Sequence, residues 1–287
     1  MLDKIGIILV ILILLLQASV HAAQPNIILV FIDDMGWADV GFNGGTHVRT
    51  PNLDRMANEG IVFTDFYVAQ PVCSASRAAL LTGCYPNRLG ITGALNPNSN
   101  HGINHKETTL AELCKTKGYA TAIFGKWHLG HHSEFLPTKH GFDTFKGIPY
   151  SNDMWPMHPE ARKGTYPPLP YFQDDVQVGE NPDQRNFTSD FSQMTIEFIK
   201  KHKDEPFFLY LSHCAPHFPL HAWPEDIAKY RDRYKAGWVE IRRQRYERML
   251  ALGIINPRWG LSVADERAEA SYENLEPHAV EAMAVYA

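Results

Sequence analysis

The sequence is poor in cysteine, in net positive charge and in long apolar runs. Its 287 residues include 27 lysines and arginines against 32 aspartates and glutamates. A net charge of -5 offers no broad cationic surface for a phosphate backbone, so we expect no nucleic-acid partner. The spacing of the cysteines matches no zinc site and no dense disulfide framework, although two disulfides could form in an oxidising compartment. The cysteines are Cys73, Cys84, Cys114 and Cys214.

The longest apolar run lies near the N-terminus, from Ile5 to Leu16 after Lys4. It falls short of the roughly 20 residues that a membrane-spanning helix needs. Val20 and Ala22 follow it with the spacing that signal peptidase recognises. We interpret residues 1–22 as a signal peptide rather than a membrane anchor. This predicts an exported protein without a stable membrane anchor, periplasmic or secreted, or lysosomal or in the endoplasmic reticulum of a eukaryotic host.

Residues 23–287 have the composition of one large or two smaller globular domains with a core, since 45% of the sequence is apolar and 21% is charged. Short continuous apolar runs are typical of strands buried on both faces of a parallel sheet. Such runs occupy residues 26–32, 120–124 and 207–211. Helical segments separate them, so we predict an α/β fold with a mostly parallel central sheet and helices on both faces.

Capping signals define the predicted helices. Thr50-Pro51 opens one that ends near Gly60, Thr109 with Glu112 forms a capping box for a second, and Ser189 opens a third that runs to about His202. A short strand is predicted over residues 61–66. The last residues, 279–287, are good helix formers without a stop signal, which we interpret as a helix cut in its middle.

Two further regions lack a clear periodicity of their own. Residues 146–187 are rich in proline, aspartate and tyrosine, which favours a long surface insertion that frames a substrate pocket. Residues 224–252 are helical and carry many lysines and arginines. A basic binding face is one interpretation, but interleaved acidic residues such as Glu240 and Glu247 favour a solvated helix surface.

Polar clusters follow the predicted strands. Asp33-Asp34 ends the first strand, and Gly36 provides the break that lets both carboxylates reach one cation, for which calcium or magnesium is suited. Lys126 and His128 follow the second strand and are expected to lie on one side of it, contributing little to the core. His213 and His217 follow the third. Convergence of three polar clusters on one crevice favours an active site.

Cys73-Ser74-Ala75-Ser76-Arg77 precedes the helical run 78–83. A helix that starts near Cys73 would favour an anion there, because its first N–H groups are unpaired and its dipole is positive at that end. Arg77 lies one turn later on the same helix face. This arrangement suits a tetrahedral oxyanion ester, although a lone cysteine beside an apolar helix is more often structural.

Together these segments resemble the type I sulfatases, the formylglycine-dependent arylsulfatase-like family of the alkaline phosphatase superfamily. The resemblance spans about residues 24–222. It rests on Asp33-Asp34-Met35-Gly36, the segment 50–54, Cys73–Arg77 with Leu81-Thr82-Gly83, Gly125-Lys126-Trp127-His128-Leu129-Gly130, and Ala215-Pro216-His217. The fold that it implies is alkaline-phosphatase-like.

The resemblance implies a role for each matching residue. Asp33, Asp34 and the group derived from Cys73 would bind a calcium ion, with magnesium as the alternative. Cys73 would be oxidised to formylglycine (3-oxoalanine) by a formylglycine-generating or an anaerobic sulfatase-maturating enzyme, and its hydrate would attack sulfur. The other catalytic roles would fall to Arg77, which stabilises the hydrate, to Lys126 and His217, which hold sulfate oxygens, and to His128, which assists the return to the aldehyde.

The chain departs from the family pattern at two points. Ala75 stands where the commonest maturation signature has proline. The family also supplies an Asp-Asn metal pair and a further lysine from a later segment, and no Asp-Asn dipeptide occurs in this sequence. We therefore interpret the chain as an N-terminal fragment of the catalytic domain, incomplete at its C-terminus and itself expected to be inactive.

The expected substrate is a sulfated small molecule or a sulfated glycan. Two alternatives remain open at this point. A phosphonate or phosphate ester hydrolase of the same superfamily could use the same cation and nucleophile. A catalytically inactive binding protein is the alternative from another class, although Cys73, Arg77, Lys126 and His128 together weigh against it.

Overall fold

A computed structural model describes residues 24–231 and 233–263. The predicted signal peptide and the predicted helix over 279–287 lie outside the described residues. The described elements are β1 (Ile27–Phe31), α1 (Pro51–Glu59), α2 (Cys73–Thr82), α3 (Leu110–Lys115), β2 (Ala120–Lys126), β3 (Thr144–Ile148), β4 (Pro170–Gln173), β5 (Val176–Glu180), α4 (Phe187–Lys201), β6 (Phe207–Ser212), α5 (Pro224–Tyr230) and α6 (Trp238–Ala251).

The described strands form one sheet in the order β1-β6-β2-β3-β4-β5. The first four are parallel neighbours, and β4 and β5 are added antiparallel. Because parallel strands end at the same edge, the segments that follow β1, β6, β2 and β3 meet there. The predicted mostly parallel α/β sheet is confirmed. None of the described helices is both long and apolar enough to cross a bilayer.

The two faces of the sheet carry separate cores, because side chains alternate along a strand. In β6, Phe208 and Tyr210 pack on one side with residues of α2 and α3. Phe207, Leu209 and Leu211 pack on the other side with the buried face of α4. The sheet therefore has helices on both faces, as predicted.

Helix signals in the sequence were accurate at most ends. Helix α1 begins at Pro51, and α3 has the complete capping box between Thr109 and Glu112. Helix α4 begins at Phe187, two residues before the predicted Ser189, because a short 3-10 helix over Gln184–Asn186 leads directly into it.

Three predictions of local structure were wrong. Residues 61–66 form no strand: Ile61 is 82% exposed and Phe63 69% exposed, so apolar character alone misled there. Strand β1 is buried on one face only, since Ile28 and Val30 are about half exposed at this described edge of the sheet. Residues 146–187 include β4 and β5 and bury Leu169 in the core, so they extend the sheet instead of lying on its surface.

The cysteines and the basic C-terminal helices also have defined environments. All four cysteines are free thiols, so the two disulfides considered from the sequence are not present in the structure. On α6, Arg243 forms ion pairs with Glu240 and Glu247 on its own helix. This pairing supports a solvated helix surface over a basic binding face.

His140 makes the core sensitive to acid. It is fully buried, stacks on His105 and Trp127, and neither ring nitrogen has a hydrogen-bond partner among the described residues. Burial, with the charge of His105, lowers the pKa of His140 to about 4. In the unfolded chain, His140 binds a proton near pH 6.5. The stability that neutral His140 contributes is therefore present above that pH and is lost as the pH falls toward the pKa of the folded state.

We expect the His140→Phe variant to lose this dependence. Between about pH 7.5 and 5.5, the unmodified protein should lose about 1 kcal/mol of unfolding free energy through His140 alone. Urea unfolding of both proteins at the two pH values measures the difference. Identical losses of unfolding free energy in the two proteins would show that His140 does not contribute.

Candidate active site

The site is built where the parallel strands end. Asp33 follows β1, Lys126 is the last residue of β2, and His217 follows β6 after a short turn. Cys73 approaches the same edge as the first residue of α2, with Val72 as an extended N-cap. The structure therefore brings together residues that are far apart in sequence, as the predicted convergence requires.

Asp33 is the buried anion of the site. Its side chain is 3% exposed, and its Oδ2 atom lies 2.5 Å from Lys126 Nζ and 3.4 Å from Arg77 Nη2. Burial by itself raises the pKa of this carboxyl, but the charges of Arg77 and Lys126 outweigh burial and leave the pKa below its usual value. Asp33 is thus ionised and offsets two buried cations.

Arg77 is fully buried on α2 and is held from the sheet side. Its Nη1 atom donates to the carbonyl oxygen of Lys126 at 2.7 Å, to Ser212 Oγ at 2.5 Å and to Tyr210 Oη at 3.3 Å. Nε and Nη2 are buried without a hydrogen-bond partner among the described residues. Nη2 faces the carboxylate of Asp33 at 3.4 Å, so the positive charge of Arg77 is fixed beside Asp33.

Cys73 and His217 shift each other's pKa. Burial raises the pKa of the Cys73 thiol, but the interaction with His217 and the charge of Lys126 outweigh this and lower the pKa. Burial lowers the pKa of His217, yet the interaction with Cys73 and the charge of Asp33 raise it overall. The site therefore favours an anion at Cys73 and a proton on His217.

Lys126 and His128 are both fully buried, so the expectation that they contribute little to the core was wrong. Lys126 Nζ also donates to Ser151 Oγ at 2.8 Å. His128 lies beyond the end of β2 and has a φ of 62°. The alternation of side chains along an extended strand therefore does not apply to it. Its ring nitrogen Nε2 lies 2.8 Å from the carbonyl oxygen of Leu95.

The contact with Leu95 defines the state of His128. A carbonyl oxygen only accepts hydrogen bonds, so Nε2 carries the proton and the buried, unpartnered Nδ1 carries the lone pair. Burial, together with the charges of Lys126 and Arg77, holds the pKa of His128 well below its usual value. His128 is therefore a neutral imidazole with a free basic nitrogen.

Sequence reasoning missed three polar residues of the site. Ser151 lies just after β3. The sequence pattern does not predict this strand, because it favours an insertion over residues 146–187. Tyr210 and Ser212 lie within a run interpreted only as a buried strand. His213, which was expected in the cluster, has Nδ1 buried without a hydrogen-bond partner among the described residues.

A divalent cation has a partial set of ligands here. The carboxylates of Asp33 and Asp34 are the hard oxygen donors that calcium and magnesium prefer, and His217 Nε2 lies 3.5 Å from Asp34 Oδ2. The described part of the chain contains no group of three or more potential His, Cys, Asp or Glu ligands placed to hold a metal. The residues fit a cation as part of a shell that needs further oxygens.

Comparison with known proteins adds family information to this geometry. The family described as Sulfatase matches residues 25–274. Arylsulfatase G of Mus musculus is 38% identical over 234 residues, which cover 73% of this chain and 44% of the mouse protein. N-acetylgalactosamine-6-sulfatase of Homo sapiens is 42% identical over 223 residues, covering 71% of this chain and 42% of the human protein. The chain thus spans less than half the length of these curated relatives.

Solved structures with the same fold include two carbohydrate complexes. Ps i-CgsB in complex with k-i-k-neocarrahexaose has a TM-score of 0.63 at 34% identity, covering 80% of this chain and 52% of that chain. BT4656 in complex with its substrate D-glucosamine-2-N,6-O-disulfate has a TM-score of 0.56 at 26% identity, covering 72% of this chain and 37% of that chain. The fold described above is therefore shared with these proteins.

Proposed function

Because this chain belongs to the sulfatase family, we propose that it carries the part of an active site that contains the nucleophile, and that this site hydrolyses sulfate monoesters. The observation that supports this best is the convergence of Cys73 with Arg77, Lys126 and His217 around the buried Asp33. Three positively charged or protonatable groups beside one nucleophile match the charge of a sulfuryl group in transfer. The curated relatives above are themselves sulfatases.

Cys73 is proposed to act after oxidation to formylglycine by a formylglycine-generating or an anaerobic sulfatase-maturating enzyme. A hydrated aldehyde at this position supplies a hydroxyl nucleophile and a second hydroxyl through which the residue can release sulfate. Arg77, held by Tyr210 and Ser212, would stabilise this hydrate through its positive charge, which also lowers the pKa of Cys73. The start of α2 adds unpaired backbone N–H groups that favour negative charge.

The remaining residues bind oxygens and move a proton. Lys126 and His217 would donate hydrogen bonds to the sulfate oxygens, and His128 Nδ1 would accept a proton from the modified residue when sulfate leaves. Asp33 and Asp34 would hold calcium, or alternatively magnesium, which supplies positive charge to the reacting oxygens. No residue of this chain needs to act as a second nucleophile.

The proposed substrate is a sulfated glycan, with sulfated small molecules as the alternative class. The two carbohydrate-bound structures support this choice, since each has the fold of this chain and contains a saccharide. The proposed location is outside the cytoplasm, because the predicted signal peptide directs export. These assignments concern the whole protein, of which the described residues form the part with Cys73.

Hydrolysis assays separate sulfatase activity from the alternatives. We expect the 287-residue chain to bind calcium weakly and to turn over little aryl sulfate, because calcium takes roughly six to eight oxygen ligands and the described donors supply only part of them. Calcium affinity and hydrolysis of aryl sulfate and aryl phosphate should be measured on this chain and on any longer natural form.

Two results would contradict the proposal. A preference for the phosphate ester would favour a phosphate or phosphonate hydrolase. Binding of saccharide without any hydrolysis, in a longer form that carries the modified Cys73, would favour a binding protein. Full activity of the 287-residue chain would instead show that residues 1–287 already contain a complete site.

A further inference from the structure

The turn that follows Asp33 sets the position of Asp34. Asp34 has a φ of 63°, in the left-handed region that non-glycine residues rarely adopt. Its side chain is 62% exposed, and its closest charged neighbour is His217 Nε2 at 3.5 Å. Packing therefore does little to orient this carboxylate. Its direction depends on whatever fixes the backbone of the turn.

Asp39 closes the next turn, which begins at Gly36, two residues after Asp34. The backbone N–H of Gly36 donates to Asp39 Oδ2 at 2.8 Å, and the backbone N–H of Asp39 donates to the carbonyl oxygen of Gly36 at 3.0 Å. A Cβ atom on residue 36 would lie 2.6 Å from Asp39 Oδ2, so glycine permits the close approach. The carboxylate of Asp39 thus accepts the hydrogen bond of a backbone N–H at the start of the turn.

The other oxygen of Asp39 binds a residue more than 200 positions later in the chain. Arg245 Nη1 on α6 donates to Asp39 Oδ1. The only buried residue of α6 as described is Ile241, one helical turn before Arg245. A Cβ atom on Gly44 would lie 3.2 Å from Met249 Cγ, so the next turn of α6 also touches this loop. Helix α6 therefore lies across the segment that follows Asp34.

We propose that Arg245 is a positioning residue for the cation site. Through Asp39 it fixes the turn at Gly36 and so holds Asp34 in the left-handed conformation that places its carboxylate beside His217. The inference rests on the proposed function only in assigning Asp34 to a cation. Asn43 Nδ2 also holds this turn by donating to the carbonyl oxygen of Trp37 at 2.9 Å. Two further anchors act later in the loop, where Thr50 Oγ1 accepts from the N–H of Gly41 and Asp54 Oδ1 from the N–H of Phe42.

The expected effect is moderate, because the side chains of Arg245 and Asp39 are 32% and 37% exposed. Exposed ion pairs contribute little stability, so the folded state should survive their loss. The free-energy cost falls on cation binding instead. When the turn is free, binding must first restore the left-handed conformation of Asp34, which weakens the apparent affinity.

The test is a calcium titration of the full 287-residue chain, followed by calorimetry and by tryptophan fluorescence, to which Trp37 within the turn contributes. We expect Arg245→Ala to raise the calcium Kd about fivefold, and Arg245→Lys, which keeps the charge, to raise it less than about twofold. Arg243→Ala is the matched control, because Arg243 binds only Glu240 and Glu247 of its own helix in the described contacts. It should leave Kd unchanged.

Hydrogen exchange of residues 34–41 in calcium-free protein provides a second readout that needs no metal. We expect faster exchange in Arg245→Ala than in Arg243→Ala. Equal Kd values for these two variants would overturn the proposal, and so would equal exchange. If the unmodified chain binds no calcium, the cation assignment fails, and the exchange data alone decide whether Arg245 holds the turn.

Discussion

Conversion of Cys73 to formylglycine is expected when the protein is produced with a maturation enzyme, and Cys73→Ala is expected to abolish sulfate ester hydrolysis. The physical reason is that the charged residues of the site act on the side chain of Cys73. The interaction with His217 and the charges of Lys126 and Arg77 lower the pKa of Cys73 and so favour an anion there. Without the side chain, these cationic groups have no nucleophile to activate. A loss of at least a thousandfold is expected for removal of a nucleophile.

Mass spectrometry of the peptide that contains Cys73 measures the conversion, and an aryl sulfate assay on an active, longer natural form measures the loss. Cys214 provides an internal control, because its thiol is fully buried and burial raises its pKa to about 12. Cys214 should remain an unmodified cysteine. Cys73 that is unmodified in a host able to mature such sites, or activity retained by Cys73→Ala, would refute the assignment.

Asp33→Asn is expected to destabilise the cation-free protein by about 3–5 kcal/mol, the usual cost of leaving buried charge uncompensated. Asp33 is the acidic partner of both Lys126 and Arg77, and all three side chains are at most 3% exposed. The amide keeps the shape of the carboxylate but not its charge. Two fully buried cations would then lack their counterion, which favours the unfolded chain.

The neighbouring variant Asp34→Asn is the matched control. Asp34 is 62% exposed, so its loss should change the unfolding free energy by less than about 1 kcal/mol. Both variants remove a proposed cation ligand, so both should weaken calcium binding. Urea unfolding in the presence of a chelator separates the two effects. Equal destabilisation by the two variants would show that Asp33 does not compensate the buried cations.

Lys126 and His128 show where a local sequence pattern is insufficient. The sequence predicted both residues just past a strand and near solvent, but Lys126 is the last residue of β2 and only His128 lies beyond it. In the structure, both are enclosed by segments from elsewhere in the chain, such as Leu95 and Ser151. Burial of a residue depends on which distant segments cover it, and no local pattern records that.

The sequence by itself determined the class of fold and the ends of most helices, and it predicted part of the candidate site. These properties are local: continuous apolar runs specify strands, a capping box specifies the start of α3, and a strand end followed by Asp33-Asp34 places the carboxylates at one edge of the sheet. The chemistry proposed for Cys73–Arg77 likewise rests on a short motif and stays a prediction.

Only the tertiary structure decided which side chains meet and which are buried. It paired Asp33 with two cations, gave Arg77 its partners Tyr210 and Ser212, and placed Arg245 on the turn that holds Asp34. It also showed β4 and β5 within a segment that has no strand periodicity. The physical reason is common to these cases: contacts between distant segments depend on the order of strands in the sheet and on packing across it, and neither is encoded in any short stretch of sequence.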